Sequence, residues 1–267
     1  AAIDVGLVLQ CVEPIWTSKP ETAGRVRGRI EAVLDWAGAR GYRPKENPAR
    51  WQGNLSMLLP SRSRMGRIVH HPAMPYAEIP AFMPTLRANG EVAARCLEFV
   101  ILTAARTSEA VGARWSEFDL AEKVWTVPAE RMKARREHRV PLSARVLAIL
   151  AAMPRSGDFV FPGRKEKQHL SNMALLMFLR RNGHTEITTH GFRSSFRDWA
   201  AESTGFANEV AEMALAHVIS SGVEAAYRRG DLFNKRRQLM TAWARHCETA
   251  PTTGANVTPI QRARDAR

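Results

Sequence analysis

Tyr227 stands in the stretch VEAAYRRGD, between two alanines and two arginines, ten residues after His217 in LAHV. The other tyrosines are at 42 and 76. Small neighbours with cations beyond them suit neither a packed core tyrosine nor an ordinary surface one. Positive charge favours a phenolate, so this phenol is a candidate nucleophile, and the same charge suits a phosphate substrate. Three other segments carry groups of that kind. In LTAARTSEAVGARW, Arg106 follows one helix and Ser108 and Glu109 begin another. There Ser108 is a candidate cap, and Glu109 a candidate partner for a backbone N–H or an arginine. RMKARREHRV holds Lys133 near the tip of an expected β-hairpin, and THGFRSSFRDWA places His190 and Arg193 three apart, on one face of a helix.

Each segment alone has a plainer reading: an Arg106–Glu109 ion pair, a solvated basic hairpin, a chance H-x-x-R, a core histidine, a packed tyrosine. Several other chemistries lack their residues. The sequence has no GxxxxGK[ST] or GxGxxG loop, and no Cys/His set with zinc spacing, since His70 and His71 are adjacent; nor does it hold a paired-carboxylate cage for magnesium. Phosphate chemistry here must therefore rest on side-chain cations, and no metal or cofactor is expected.

The charge balance agrees. The 267 residues carry 39 Lys+Arg against 26 Asp+Glu, formally +13, which favours a polyanionic partner, nucleic acid ahead of an anionic membrane. No apolar run has bilayer-spanning length and no basic-then-apolar leader opens the chain, so a soluble, non-exported, cytoplasmic protein is expected. Cys11, Cys96 and Cys247 are odd in number and far apart, which fits a reducing compartment without a disulfide framework.

The elements that must position these groups are mostly helical. PETAGRVRGRIEAVLDWAGARG puts Val26, Ile30, Val33, Leu34 and Ala37 on one stripe and Arg25, Arg29 and Arg40 opposite, with Gly41 as a stop. A short helix is expected after Asn47–Pro48, with Trp51, Leu55, Leu58 and Leu59 as its apolar positions. PSRSRMGRIVHHPAMP has linker composition, which sets a boundary near 72. Helices follow at 76–88 and 91–105, then the β-type runs KVWTVP and HRVPL flanking AERMKARRE. SARVLAILAAM, SNMALLMFLRR, RSSFRDWAAES, NEVAEMALA and KRRQLMTAWARHCE return to helix. The expected fold is mainly α with a small antiparallel β-sheet: a helical domain and linker at 1–72, a mixed, mostly helical domain at 73–248, and a loose tail at 249–267.

In chain order, an arginine in T-x-x-R-x-S-E, a lysine on a β-hairpin, H-x-x-R, L-x-H and a tyrosine ten residues on form one constellation. It resembles the tyrosine recombinases, the integrase family that shares its chemistry with type IB topoisomerases. HGFRSSFRDWA and AERMKARREHRVPLS are most similar to integrases of prophages, satellite phages and genomic islands. WTSKPETAGRVRGRIEAVLDWAGARGYR resembles that subgroup's core-binding domain. The resemblance implies a core-binding (DNA-clamp) domain followed by a catalytic domain. It implies Arg106, Lys133, His190, Arg193 and His217 as the active-site donors and Tyr227 as the nucleophile. Arg25, Arg29, Arg43, Arg131, Arg135, Arg136, Arg228 and Arg229 are then expected DNA contacts. Double-stranded attachment-site DNA is the implied partner, with a homotetramer on two duplexes, a monomer when free, and an accessory DNA-bending protein or excisionase. The helix at 234–248 is a candidate for docking on a neighbouring subunit or for packing on its own domain.

Two positions depart from the family pattern. Ala104–Ala105 replace the Gly-containing TGxRxxE turn, and Ala216 replaces the glycine of LGH. Alanine is compatible with a helical backbone at both, whereas a position needing positive φ would tolerate it poorly. The arm-binding domain of such integrases is missing, and the chain opens abruptly on a helical pattern, so a piece of something longer is expected. A type IB topoisomerase-like enzyme and a catalytically silent DNA-binding fragment are the alternatives to a recombinase; a basic helical interaction protein would make all six residues a coincidence.

Overall fold

Helix boundaries in the first unit follow local chemistry. Asp4 caps α1 (Val5–Trp16) by accepting the Leu7 N–H at 2.9 Å, and Pro20 opens α2 (Pro20–Ala39), where its missing N–H costs nothing. Gly41, at φ 75°, ends the run. Trp16 stacks on Trp51 at 5.4 Å and donates from Nε1 to the Pro60 carbonyl at 2.9 Å, closing the small core around Val8, Val12, Leu34 and Leu55. This computed structural model describes residues 3–61, 72–165, 167–217 and 230–249, and the chain divides into two units, Ala1–His70 and His71–Arg267.

Two expectations for the first unit fail. No α-helix follows Asn47–Pro48; turns lead to a 3-10 turn at Leu55–Met57. The reason is Asn47, whose amide donates to the Glu31 carbonyl and to Asp35 Oδ1, both at 2.8 Å, while its Oδ1 accepts the Ala49 N–H at 2.9 Å. That side chain competes with helix and locks a turn against α2. Val33 and Leu58, both read as core positions, are 63% and 55% exposed.

The second unit is built on α4 (Val92–Thr103), ten of whose twelve residues are buried. Around it lie α3 (Ile79–Ala88), α5 (Thr107–Val111), α6 (Ala144–Ala152), α7 (Ala174–Arg181), α8 (Gly191–Ser203), α9 (Asn208–Ala214) and α10 (Phe233–Glu248). Strands β1 (Phe118–Asp119), β2 (Val124–Val127) and β3 (His138–Pro141) form an antiparallel sheet in that order, with Trp125 opposite Phe118 and Val140. Two-residue β1 is too short for a periodic signal, and the sequence reading missed it. The fold is thus mainly α with a small antiparallel sheet. Trp125 and Phe161 pack edge-on to Phe99 of α4. α10 packs on its own unit: Leu239, Met240, Trp243 and Cys247 are buried, and Trp243 Nε1 donates to the Ile101 carbonyl at 2.8 Å.

Glu98, wholly buried in the middle of α4, receives Arg145 through Nε (2.8 Å) and Nη2 (3.0 Å), and Arg87 through Nε (2.8 Å). Arg95 lies 4.0 Å away. This knot ties α3, α4 and α6 together. Among the described residues no helix is long and apolar enough to cross a membrane.

Candidate active site

The apolar run of α4 ends at Thr103, and Ala104 then turns left-handed, with φ 51° and ψ 24°. Arg106 follows in extended conformation as the N-cap of α5. Glu109 holds it twice, accepting its backbone N–H at 2.9 Å and its Nη1 at 2.8 Å. Glu109 therefore takes both partners the sequence offered it, and Arg106 rather than Ser108 occupies the cap.

Arg193, from the first turn of α8, comes to the same place. Its guanidinium is buried, donates from Nη1 to the Ala104 carbonyl and from Nη2 to the Leu215 carbonyl at 2.6 Å, and its Nη2 lies 3.3 Å from His217 Nε2. Arg106 Nη2 reaches the next carbonyl, Ala216, at 3.4 Å. Ala216 is also left-handed, at φ 51°. The expectation of helical backbone at 104 and 216 is therefore wrong, and the cause is tertiary. These turns aim carbonyls at the arginines, and they hold alanine in a region that costs an L-residue about 1–2 kcal/mol. Arg106, Arg193 and His217, far apart in sequence, meet around two strained turns.

Burial, then the charge of Arg106, lowers the Arg193 pKa to about 10, with Glu109 and Glu212 opposing the shift. The guanidinium remains a cation at neutral pH, and its Nε is buried with no acceptor among the described residues. A cation held in this way favours an incoming anion.

His217 is exposed, and its Nδ1 lies 2.7 Å from Glu212 Oε2. Arg197 Nε donates to the other carboxylate oxygen at 2.6 Å. Burial pushes the Glu212 pKa up, but the hydrogen bonds from His217 and Arg197 outweigh it and hold the pKa below the usual value. The sequence reading missed both Glu212 and Arg197. His190 is the exposed N-cap residue of α8, and its carbonyl accepts the Arg193 N–H at 3.1 Å, so the two residues share one helical turn. Gly191 beside it admits the chain at 72–74. A β-carbon there would stand 2.8 Å from Ala73 Cα and run into the Pro72 carbonyl.

Lys133, Arg135 and Arg136 are exposed on the β2–β3 connection. Its root is fixed by buried Met132 and by Arg131, which donates inward to Glu117 and to the Glu109 carbonyl. Arg131, read from the sequence as a DNA contact, is therefore engaged within the fold. The same tie links the lysine-bearing loop to the turn that holds Arg106. His138 of β3 is a further missed residue. Burial, then the charge of Arg236, lowers its pKa to about 4, with Arg106 adding to the shift and Glu109 and a hydrogen bond to the Ala214 backbone opposing it. Arg25 and Arg29 are exposed on α2, and Arg25 pairs with Glu21 at 3.2 Å. Arg43 is half-buried and donates to the Ile3 and Glu46 carbonyls. Tyr227, Arg228 and Arg229 lie outside the described residues. Among the described residues no His/Cys/Asp/Glu group has the make-up of a metal site.

The Phage integrase family matches residues 73–231, and the Phage integrase central domain matches 1–54. Prophage integrase IntA of Escherichia coli (strain K12) is 38% identical over 70% of this chain and 47% of its own length. Prophage integrase IntZ of the same strain is 36% identical over 91% of this chain and 59% of its own. The chain thus spans about half to three-fifths of these relatives. Among solved structures, a lambda integrase (75–356) dimer bound to a COC′ core site aligns with TM-score 0.60 at 16% identity, covering 86% of this chain and 80% of that one. The integrase from mycobacterium phage Brujita aligns at 0.51 and 20%, covering 90% and 77%. At these identities the structural likeness speaks to the fold.

Proposed function

Because the chain belongs to the phage integrase family, we propose that it is the strand-cleaving and rejoining part of a site-specific DNA recombinase that integrates or excises a mobile element. The observation that carries this reading is the meeting of Arg106 and Arg193, one buried with its charge unmatched by any carboxylate salt bridge among the described residues. Attack on a phosphodiester gathers negative charge on two non-bridging oxygens. Two guanidinium forks suit those oxygens and cannot lose their protons at neutral pH. Fixed donors of this kind contribute on the order of 10²–10³ in rate each.

In this reading Tyr227 attacks phosphorus and His190 accepts its phenolic proton. Lys133 protonates the departing 5′ oxygen, and His217 adds a hydrogen bond to the phosphate. The P–O5′ bond breaks as the P–O(Tyr) bond forms, leaving a 3′-phosphotyrosyl link and a free 5′ hydroxyl. The link keeps the phosphoester bond energy, so another strand's 5′ hydroxyl reseals it without ATP. Exposed Arg25, Arg29, Arg135 and Arg136 suit backbone phosphates, and their number sets the salt dependence of binding. A homotetramer on two duplexes, aided by a DNA-bending protein or excisionase, completes the reading, and a bacterial cytoplasm is its setting.

The test is a nicked suicide duplex bearing the attachment sequence. The chain should form a covalent adduct with it and Tyr227→Phe should not. Absence of an adduct from folded protein would defeat the enzyme reading. Relaxation of one supercoiled circle without joining of two duplexes would replace recombinase by topoisomerase.

A further inference from the structure

Two contacts fix the state of the His217 ring. A guanidinium only donates, so the contact from Arg193 Nη2 to Nε2 at 3.3 Å makes Nε2 an acceptor. An ionised carboxylate only accepts, so the 2.7 Å contact between Nδ1 and Glu212 Oε2 places a proton on Nδ1. Both constraints select the same neutral tautomer. The backbone agrees: the His217 N–H donates to the Glu212 carbonyl at 3.0 Å, so the left-handed turn at Ala216 folds ring and carboxylate together. Glu212 is held in turn by Arg197 at 2.6 Å. Among the described residues, the charged and titratable groups that contact the ring or couple to its partners are Glu212 from α9, Arg193 and Arg197 from α8, Arg106 and Glu109 from the turn into α5, and His138 from β3.

We propose that Glu212 is the positioning residue for His217: it holds the ring as the Nδ1–H tautomer, with the Nε2 lone pair turned to the arginine pair, and its negative charge lets Nε2 take a second proton when a phosphate arrives. The proposal rests on the strand-cleavage reading. The added proton comes from solvent and is then shared between Nε2 and a non-bridging oxygen; no bond to phosphorus changes in this step. A carboxylate behind a histidine serves the same purpose in other sites, where it fixes tautomer and orientation.

Substitution by glutamine makes the idea testable. Arg197 claims the amide oxygen of Glu212→Gln, which leaves the NH₂ group facing His217 Nδ1, and an NH₂ group demands an acceptor there. The ring should switch to the Nε2–H tautomer. Imidazole ¹⁵N NMR of histidine-labelled chain, with His217→Gln for assignment, should show Nδ1–H in the wild type and the switch in Glu212→Gln. Nε2–H in the wild type, or the same tautomer in both, overturns the proposal. On the suicide duplex, single-turnover adduct formation should fall roughly ten- to a hundredfold in Glu212→Gln with DNA affinity unchanged. Arg197→Gln, which loosens one oxygen of Glu212 but keeps the carboxylate beside Nδ1, should lose less than Glu212→Gln does. A loss confined to DNA affinity, or an equal loss in Arg197→Gln, reduces Glu212 to a packing residue. If the wild type makes no adduct, the recombinase reading fails while the NMR result still decides the tautomer.

Discussion

Two buried charge clusters lie along α4, one in its middle and one just past its end, and they are built in opposite ways. Glu98 is a carboxylate facing three guanidiniums, two of them hydrogen-bonded to it. Arg193 is a guanidinium facing carbonyls and another arginine, without a carboxylate in ion-pair range among the described residues. The first cluster closes its charge within the protein and binds helices together. The second leaves charge open, which adds little to folding and suits an anionic ligand. Burial alone does not separate them; the balance of charge does.

The largest effect should come at the closed cluster. Glu98→Gln leaves arginines without their counter-charge and should lower the unfolding free energy by about 3–5 kcal/mol in a urea titration. An unchanged midpoint would remove the contrast. Arg193→Gln should cost less than half that stability, yet lower adduct formation on the suicide duplex by roughly 10²–10³, about 3–4 kcal/mol of barrier. If it unfolds the chain as far as Glu98→Gln does, the two clusters are alike after all.

The open cluster should also be the acid-sensitive one. His138 titrates at about 4 in the fold against 6.5 unfolded, so between those values the unfolded chain binds a proton that the native one lacks. Unfolding free energy should therefore fall as pH drops from 6.5 to 4, by on the order of 3 kcal/mol. His138→Gln should flatten that slope in thermal melts taken across the range. The smallest change concerns the turns themselves. Ala104→Gly and Ala216→Gly should each raise the unfolding free energy by about 1 kcal/mol, relief of the left-handed strain exceeding glycine's extra unfolded-state entropy. A loss at either position would mean that the alanine methyl packs usefully.

The sequence carried the helices whose apolar spacing is long and regular, α2, α4 and α10, and the two longer strands of the sheet. It also carried Arg106, Arg193 and His217, because their motifs in that chain order resemble the tyrosine-recombinase constellation. What it missed depends on tertiary partners. Ala104 and Ala216 have helical propensity, and guanidiniums bonded to the neighbouring carbonyls overrule it. Glu212 lies five residues before His217, a spacing that no regular helix brings together; the left-handed turn at 216 does so. Arg131 has the charge of a DNA contact, and only the fold reveals Glu117 beneath it. Asn47 looked like a helix start and is a turn lock.

The missing side chain of Gly191 has a practical consequence. The strip from Pro72 to Met74 lies against the start of α8, bonded through the Thr188 N–H to Pro72 and through Ser195 Oγ to Met74. Anyone trimming the chain to isolate its second unit must cut upstream of Pro72. A truncation that starts at Pro75 would uncover the very helix that presents His190 and Arg193, and would report on a damaged candidate site.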